Sequence, residues 1–279
     1  MIKLVHNSWN VPIGQVSKNK WVYFNFLDIP HIKIAGVTKS GKSAFLQWLL
    51  YVLLRQQDPD NIIVYVIDLK GGATFAVWEH HPAVAGVYVD IQGAYDVLNA
   101  VREEMERRNE VTRLRRYNFQ SAPKWPQIVV VIDEGGEMSP KGYRGAEKTI
   151  RDNCMSTLSS LARVGREPGI HVVYGTQRPD ADTLPTHIRS QLEITFCFRV
   201  KENIDSQIVL RHNGAEQLPL IPGRMIFQTP DREVIVQAPY LSEKLVMDWL
   251  KFYANKPEAS AGSRSNMSTP TAPGLLPGF

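Results

Sequence analysis

The chain has 279 residues, of which 43% are hydrophobic, and a formal net charge of +4 at pH 7. That length suffices for one large globular domain or two small ones. No run of 18 uncharged apolar residues is present to span a bilayer, and the first residues lack the apolar core of a secretory signal. Cys154 and Cys197 lie far apart without metal-ligand spacing, so we expect them to be reduced core residues of a cytoplasmic protein.

The predicted elements divide the chain into three parts. Residues 1–30 are polar and rich in aromatic side chains, which predicts a short β-rich lead-in. Apolar strands then alternate with helical segments up to residue 254. The predicted strands are 31–36, 62–68, 86–89, 127–133, 170–176 and 194–200, and the predicted helices are 42–57, 91–117, 145–165, 184–191, 204–211 and 242–254. A late β-hairpin is predicted for 223–229 and 232–238.

The strands are near-continuous runs of valine and isoleucine, which are typical of parallel strands buried on both faces. Strand–helix alternation therefore predicts an α/β domain over 31–254, with a mostly parallel sheet covered by helices on both faces. Residues 255–279 are rich in Pro, Ser, Gly, Ala and Thr and predict a disordered tail. That tail either lacks a function or ends in a short peptide ligand for a partner.

The sequence GVTKSGKS at 36–43 fits the phosphate-loop pattern G-x-x-x-x-G-K-[ST] between a predicted strand and a predicted helix. Backbone N–H groups in such a loop cradle phosphates, Lys42 reaches the β- and γ-phosphates, and the Ser43 hydroxyl ligates Mg²⁺. The alternative is a chance glycine turn before a helix. We therefore expect ATP and Mg²⁺ as cofactors, with nucleotide contacts from Gly36, Val37, Thr38, Lys39, Ser40, Gly41, Lys42, Ser43 and Ala44.

Two later strands end in polar residues that complete a hydrolytic site. Asp133 and Glu134 stand at the end of the apolar strand predicted for 127–133. Asp133 is placed to hold Mg²⁺ through water, and Glu134 to orient or deprotonate the attacking water. The alternative is an acidic pair in a solvated turn. Thr176-Gln177-Arg178-Pro179 follows the strand 170–176, and Gln177 is the predicted sensor of the γ-phosphate.

These motifs, with several others, occur in the order of one known family. They are segments 31–36 with 42–43, 67–72, 131–134, 166–171, 176–179, 204–206, 214–216 and 223–225. Over residues 30 to 240 the chain resembles the motor domain of FtsK/SpoIIIE-type DNA translocases, within the FtsK–HerA group. The resemblance implies a RecA-like P-loop fold and a hexameric ring that pumps double-stranded DNA using ATP, with active sites between subunits. It also implies catalytic roles for Lys42, Glu134 and Gln177, and for Arg166 as an arginine finger acting on the neighbouring subunit.

The resemblance places a DNA-facing loop around 199–211. The positions that match basic residues of the family are Asn203 and Gln207, and Lys201 lies nearby. Because uncharged side chains bind phosphate oxygens without ion release, we expect a weak grip with little salt dependence. Lys141, Arg144 and Lys148 form a second candidate surface, for which a solvated loop is an equal alternative. The charged stretch 102–116 is either an ion-paired solvated helix or a contact for nucleic acid or another subunit.

The chain departs from the family pattern in several ways. Lys39 stands where the family usually has glycine, and Gly135-Gly136 replace a bulky residue, which predicts a mobile loop. The family's amino-terminal membrane spans and carboxy-terminal winged helix have no counterpart in the sequence. We therefore expect a compact form of the kind carried by plasmids, integrative elements and phages, where such a protein takes part in DNA transfer or element maintenance.

Three functions compete at this point. The first is an ATP-driven DNA-translocating motor, favoured by Glu134, Arg166 and Gln177. The second is a nucleotide-dependent adaptor that assembles on a relaxase or another DNA-processing protein, favoured by the few charges in the DNA-facing loop. The third is a small-molecule kinase of the phosphate-loop class, which leaves Thr176-Gln177-Arg178-Pro179 unexplained.

Overall fold

A single ten-stranded sheet runs through the molecule in the computed structural model, which describes residues 3–180 and 182–254. The predicted tail, 255–279, lies outside the described residues. The strands are β1 (Asn10–Ser17), β2 (Lys20–Asn25), β3 (His31–Ala35), β4 (Ile62–Ile67), β5 (Val84–Tyr88), β6 (Gln127–Ile132), β7 (Ile170–Thr176), β8 (Ile194–Phe198), β9 (Arg224–Gln228) and β10 (Glu233–Gln237). The helices are α1 (Lys42–Gln56), α2 (Ile91–Tyr117), α3 (Gly145–Val164), α4 (Thr186–Arg189), α5 (Asn203–Leu210) and α6 (Glu243–Ala254).

The strand order is β2-β1-β10-β9-β8-β3-β7-β6-β4-β5. The six strands from β8 to β5 pair in parallel, whereas β9, β10, β1 and β2 pair antiparallel. One face of the sheet packs on α1 and α6, and the other on α2 and α3, so that helices cover both faces. The α/β prediction, including the late hairpin of β9 and β10, is confirmed.

The lead-in is built into the same sheet. β1 pairs with β10 through Gln15 and Gln237, and β1 and β2 form an antiparallel pair. Val11 and Ile13 are fully buried against the core around α1, and the indole nitrogen of Trp48 donates to the carbonyl of Pro12 at 2.7 Å. The apolar side chains of the lead-in thus complete the core on the α1 face.

Some element boundaries differ from the predictions. The predicted helix 184–191 is reduced to the four residues of α4. Leu184 stands before Pro185, and a residue in that position is disfavoured in helical geometry. Cys154 and Cys197 are buried and unpaired by disulfides, as expected of core residues. Within the described ranges, no helix combines the length and the apolar character that crossing a membrane requires.

Candidate nucleotide site

Three strands of the parallel region end at one edge of the sheet, and each carries part of the predicted site. Ala35 of β3 is in register with Thr176 of β7, and Ile132 of β6 with Tyr174. The phosphate loop follows β3, the acidic pair follows β6, and Gln177 follows β7. Since parallel strands carry their loops at the same edge, the fold brings these segments together, as the sequence predicted.

Neighbouring segments hold the phosphate loop in its shape. Gly41 has a φ of 102°, and a Cβ there would lie 2.5 Å from the backbone nitrogen of Gly223. The N–H of Gly223 donates to the carbonyl of Ser40 at 2.8 Å, and the N–H of Val37 donates to the carbonyl of Arg199 at 3.0 Å. The turn before β9 and the end of β8 therefore fix the loop from one side.

Lys39 has a φ of 67°, in the left-handed region that favours glycine. This conformation accounts for the glycine usual at this position in the resembling family. The turn geometry is thus retained here by a residue that adopts it at a cost in conformational energy.

Lys42 and Asp133 form the centre of the site. The Lys42 ammonium lies 2.7 Å from Oδ1 of Asp133 and also donates to the Asp133 carbonyl. The Ser43 hydroxyl lies 3.1 and 3.3 Å from the two carboxylate oxygens of Asp133. Lys42 and Asp133 are 3% and 5% exposed, so this ion pair is shielded from solvent. A buried cation poised beside a carboxylate is well placed to exchange that contact for a phosphate.

The residues present fit a magnesium ion. The Ser43 hydroxyl and the Asp133 carboxylate converge, and oxygen ligands of this kind suit Mg²⁺. The described residues contain no cluster of three or more His, Cys, Asp or Glu side chains arranged for a metal. The Ser40 hydroxyl, buried in the loop without a partner among the described groups, adds an unused polar atom.

Four donors surround the carboxylate of Glu134. It accepts hydrogen bonds from the Lys70 ammonium, the Thr176 hydroxyl and the backbone N–H of Gln177, each at 3.0 Å. The Lys42 ammonium lies 4.0 Å away. The carboxylate is therefore fixed in one orientation at the edge of the sheet.

Gln177 connects Glu134 to the phosphate loop. Its backbone N–H contacts Glu134, and its side-chain oxygen accepts a hydrogen bond from the Thr38 hydroxyl at 3.0 Å. Gln177 thus makes hydrogen bonds to both the phosphate loop and Glu134. This geometry fits the predicted sensor role.

The structure adds residues to the site that had no predicted role. Lys70 and Thr176 bind Glu134, and Asp68 lies buried at the end of β4, beside β6. Burial raises the pKa of Asp68, and the Asp133 carboxylate adds to the rise. Asp68 follows an apolar strand just as Asp133 does, so the same reasoning applied to β4 would have indicated it.

The lack of a side chain at position 135 has a steric explanation that the sequence did not show. A Cβ at this position would lie 2.0 Å from the Tyr174 ring, whose hydroxyl donates to the carbonyl of Thr183. The buried ring occupies the space that a side chain at 135 would need. The glycine is therefore explained by this close packing, whereas the prediction of a mobile loop had rested on backbone freedom alone.

Arg166 lies far from the phosphate loop of its own chain. It precedes β7, whereas Gln177 follows it, and the 7 residues of this strand separate the two by about 20 Å. Its guanidinium is exposed and donates to the carbonyl of Asp28 at 3.0 Å. The structure therefore does not bring Arg166 together with the other predicted catalytic residues.

The predicted DNA contacts follow β8, the strand that pairs with β3 in the sheet. Lys201 follows β8, is exposed, and has its ammonium 3.6 Å from the Glu202 carboxylate. Asn203 begins α5, and the Gln207 amide donates to the side chain of Asn213 at 2.9 Å. In the second candidate surface, Lys141 and Lys148 pair with Asp182 and Asp152, and Arg144 precedes α3.

Comparisons with known proteins agree with this geometry. Residues 3–122 match the model of the FtsK/SpoIIIE family. DNA translocase FtsK of Helicobacter pylori (strain J99 / ATCC 700824) is 32% identical over 239 residues, which cover 80% of this chain and 27% of that protein. DNA translocase FtsK of Chlorobaculum tepidum is 30% identical over 282 residues, covering 93% and 34%. The chain thus spans about a quarter to a third of these relatives.

Solved structures show the same fold. The pCW3 conjugation coupling protein TcpA, in its monomer form with ATPγS, has a TM-score of 0.78 and 26% identity, with 90% of this chain and 72% of that chain covered. The cytoplasmic domain of the type VII secretion ATPase EccC from Thermomonospora curvata has a TM-score of 0.71 and 22% identity, with 90% and 32% covered. The family match over residues 3–122 and the FtsK relatives at 30–32% identity thus show that this chain contains an FtsK/SpoIIIE-type domain, and the solved structures share its fold.

Proposed function

We propose that this protein is an ATP-driven motor that moves double-stranded DNA, with Mg²⁺-ATP bound at the phosphate loop. The observation that carries the proposal is the fixed carboxylate of Glu134. A protein that only binds nucleotide needs the loop, Lys42 and Asp133, but it does not need a second carboxylate held by three hydrogen bonds beside them. Such a group suits the orientation or deprotonation of a water molecule for attack on the γ-phosphate.

The position of Arg166 supports an active site shared between subunits. A guanidinium about 20 Å from its own phosphate loop cannot act there. It is exposed, and among the described residues it donates a hydrogen bond to the backbone carbonyl of Asp28. We therefore infer that Arg166 reaches the γ-phosphate of a neighbouring copy in a hexameric ring and stabilises the developing charge in trans.

A backbone contact supports coupling between ATP and DNA. The carbonyl of Arg199 accepts the N–H of Val37, so the segment that leads to Lys201 is bonded directly to the phosphate loop. Movement of the loop on hydrolysis would therefore displace Lys201, Asn203 and Gln207. With Lys201 partly neutralised by Glu202, we expect each of these contacts to grip DNA weakly.

The similarity to TcpA suggests a biological process in which the protein takes part. That protein is described as a conjugation coupling protein. We infer that the present protein serves plasmid or mobile-element DNA transfer in the cytoplasm, with a relaxase or another DNA-processing protein as its partner.

ATPase assays with and without linear duplex DNA test the proposal. We expect DNA to stimulate turnover of the wild type. Glu134→Gln should lower kcat by about 10²-fold or more while ATP still binds, and Arg166→Ala should lower it by about 10³-fold. Turnover that is indifferent to DNA and unchanged in Arg166→Ala would reject the motor.

The adaptor remains a second candidate, because the predicted DNA loop carries only one basic side chain at its three named positions. Sedimentation with a non-hydrolysable ATP analogue and duplex DNA separates the two functions. A motor should form a DNA-bound assembly of about six copies. A monomer at every concentration, which binds a relaxase only with nucleotide present, would favour the adaptor.

A further inference from the structure

The segment that carries Arg166 is held by several hydrogen bonds to neighbouring elements, while the Arg166 side chain itself is exposed. We call residues 165–169 the finger loop. The N–H of Gly165 donates to Leu161 at 2.9 Å, and the carbonyl of Gly169 accepts from Ile128 at 2.8 Å. These bonds join the two ends of the loop to α3 and β6. The middle of the loop is held by α2 instead.

Two arginines of α2 contact the middle of the finger loop: at the surface Arg116 pairs with Glu167 at 2.5 Å, and in the interior Arg108 contacts Pro168. The Nη1 of Arg108 donates to the carbonyls of Pro168 and Pro126, both at 2.8 Å, and its Nε donates to Glu104 at 2.7 Å. The guanidinium also lies 5.4 Å from the centre of the Trp125 ring. One planar cation thus joins α2, the segment before β6 and the finger loop.

Arg108 is only 1% exposed, so its charge is removed from water almost completely. Burying a guanidinium is costly unless its hydrogen bonds are satisfied, and well-packed apolar side chains usually stabilise a core as well or better. Within a protein, a planar fork of donors offers directional bonds that apolar packing lacks. The arrangement therefore suits fixing the position of the Pro168 carbonyl, two residues from Arg166.

We propose that Arg108 is a positioning residue that sets the finger loop so that Arg166 projects toward the neighbouring subunit's nucleotide. The inference rests on the proposed trans role of Arg166. The charged stretch of α2 then has two functions. Arg102, Arg107 and Arg113 pair with glutamates on the helix surface, whereas Arg108 is turned inward to hold the loop.

The neighbouring arginine provides a matched control. Arg107 binds the same Glu104 carboxylate at 2.7 Å and lies 4.8 Å from the centre of the same Trp125 ring. Within the described residues, its side-chain contacts are with Glu104 and Trp125 and not with the finger loop. Arg107→Gln therefore removes one arginine's contacts with Glu104 and Trp125. Arg108→Gln removes the equivalent contacts of the other arginine together with its bonds to the Pro126 and Pro168 carbonyls. In the Arg108 variant, Glu104 keeps Arg107 as a partner.

A double-mutant cycle on the full chain tests the proposal by DNA-stimulated ATPase assay. We expect Arg108→Gln to lower kcat about tenfold or more, with the KM for ATP and the affinity for duplex DNA within about twofold of wild type. Arg107→Gln should leave kcat within about twofold. In an Arg166→Ala background, Arg108→Gln should cause almost no further loss, because the side chain that it positions is already gone.

The outcomes separate this inference from the proposed function. If Arg166→Ala leaves kcat unchanged, the trans role itself is rejected. If Arg166→Ala lowers kcat and adding Arg108→Gln to that variant lowers kcat further by the same factor as in the wild type, the positioning role is overturned. Arg108 then supports the fold in general. Thermal melting monitors folding. If Arg108→Gln fails to fold, Arg108→Lys replaces it in the same cycle, because one ammonium keeps the charge but cannot donate to both proline carbonyls in the same fork.

Discussion

At the scale of single residues, Lys39 shows a turn that the chain retains at an energetic cost. The left-handed conformation costs a non-glycine residue about 1–2 kcal/mol, and the greater freedom of glycine in the unfolded chain offsets about half of that. We expect Lys39→Gly to raise the free energy of unfolding by about 0.5 kcal/mol in urea titrations. Lys39→Ala keeps the strained φ and should bring no gain. Equal effects of the two substitutions would show that the lysine charge, and not the backbone, is responsible.

Gly135 is constrained by packing and not by its φ. Its added Cβ would meet a buried aromatic ring at 2.0 Å, and the hydroxyl of that ring is anchored by Thr183. We expect Gly135→Ala to lower the free energy of unfolding by about 1–3 kcal/mol, the usual cost of overpacking a core. Gly136→Ala is the matched control, since its nearest neighbour, at 3.1 Å, is a Thr183 methyl group. Equal losses in thermal melts of both variants would contradict the steric account.

At the scale of elements, a pair of buried histidines, one in β3 and one in β7, makes the stability of the fold depend on pH. Burial lowers the pKa of His31 to about 4, helped by Arg166, and burial lowers the pKa of His171 to about 3, helped by His31. In the unfolded chain both histidines titrate near pH 6.5, so below that pH the unfolded state binds more protons than the native state does. The contribution of these two neutral histidines to the free energy of unfolding is therefore fully present above pH 6.5 and is lost as the pH falls toward 4.

Urea titrations at pH 7.5 and pH 5.5 measure this loss. Each histidine should contribute about 1 kcal/mol of destabilisation at the lower pH. In His171→Gln, the difference between the two pH values should shrink by about that amount, whereas His187→Gln, at an exposed position, should match wild type. An unchanged difference in His171→Gln would mean that the native state accommodates the charged ring.

Many of the strands and helices could be predicted because buried segments are recognisable in the sequence by their apolar residues. β4 consists of apolar residues, β6 does so after Gln127, and the phosphate loop is recognised by the spacing of its fixed residues. The pairing of β1 with β10 could not be predicted, since it joins residues more than 200 positions apart and depends on tertiary packing. The same holds for Lys70, whose contact with Glu134 appears only when the ends of β4 and β6 are brought together.

At the scale of the whole molecule, the separation of Arg166 from its own phosphate loop has a consequence for mixed assemblies. Lys42→Ala removes the phosphate contact but keeps the arginine, and Arg166→Ala does the reverse. Each variant alone should be nearly inactive, because every site in a uniform ring lacks one essential group. In a mixture, a site that joins the loop of an Arg166→Ala subunit to the arginine of a Lys42→Ala subunit is complete.

With equal amounts of the two variants and random assembly, half of the loops are intact and half of their neighbours carry the arginine. About a quarter of the sites should therefore be complete, and ATPase turnover should rise from near zero toward that fraction of wild type. The rise should follow protein concentration, since it requires association. If Arg166 acted within its own chain, each subunit would keep its own defect and mixing would restore nothing. If motion must pass around the whole ring, turnover should fall below a quarter while the intact sites still bind ATP, and the shortfall would measure how strictly neighbouring subunits depend on one another.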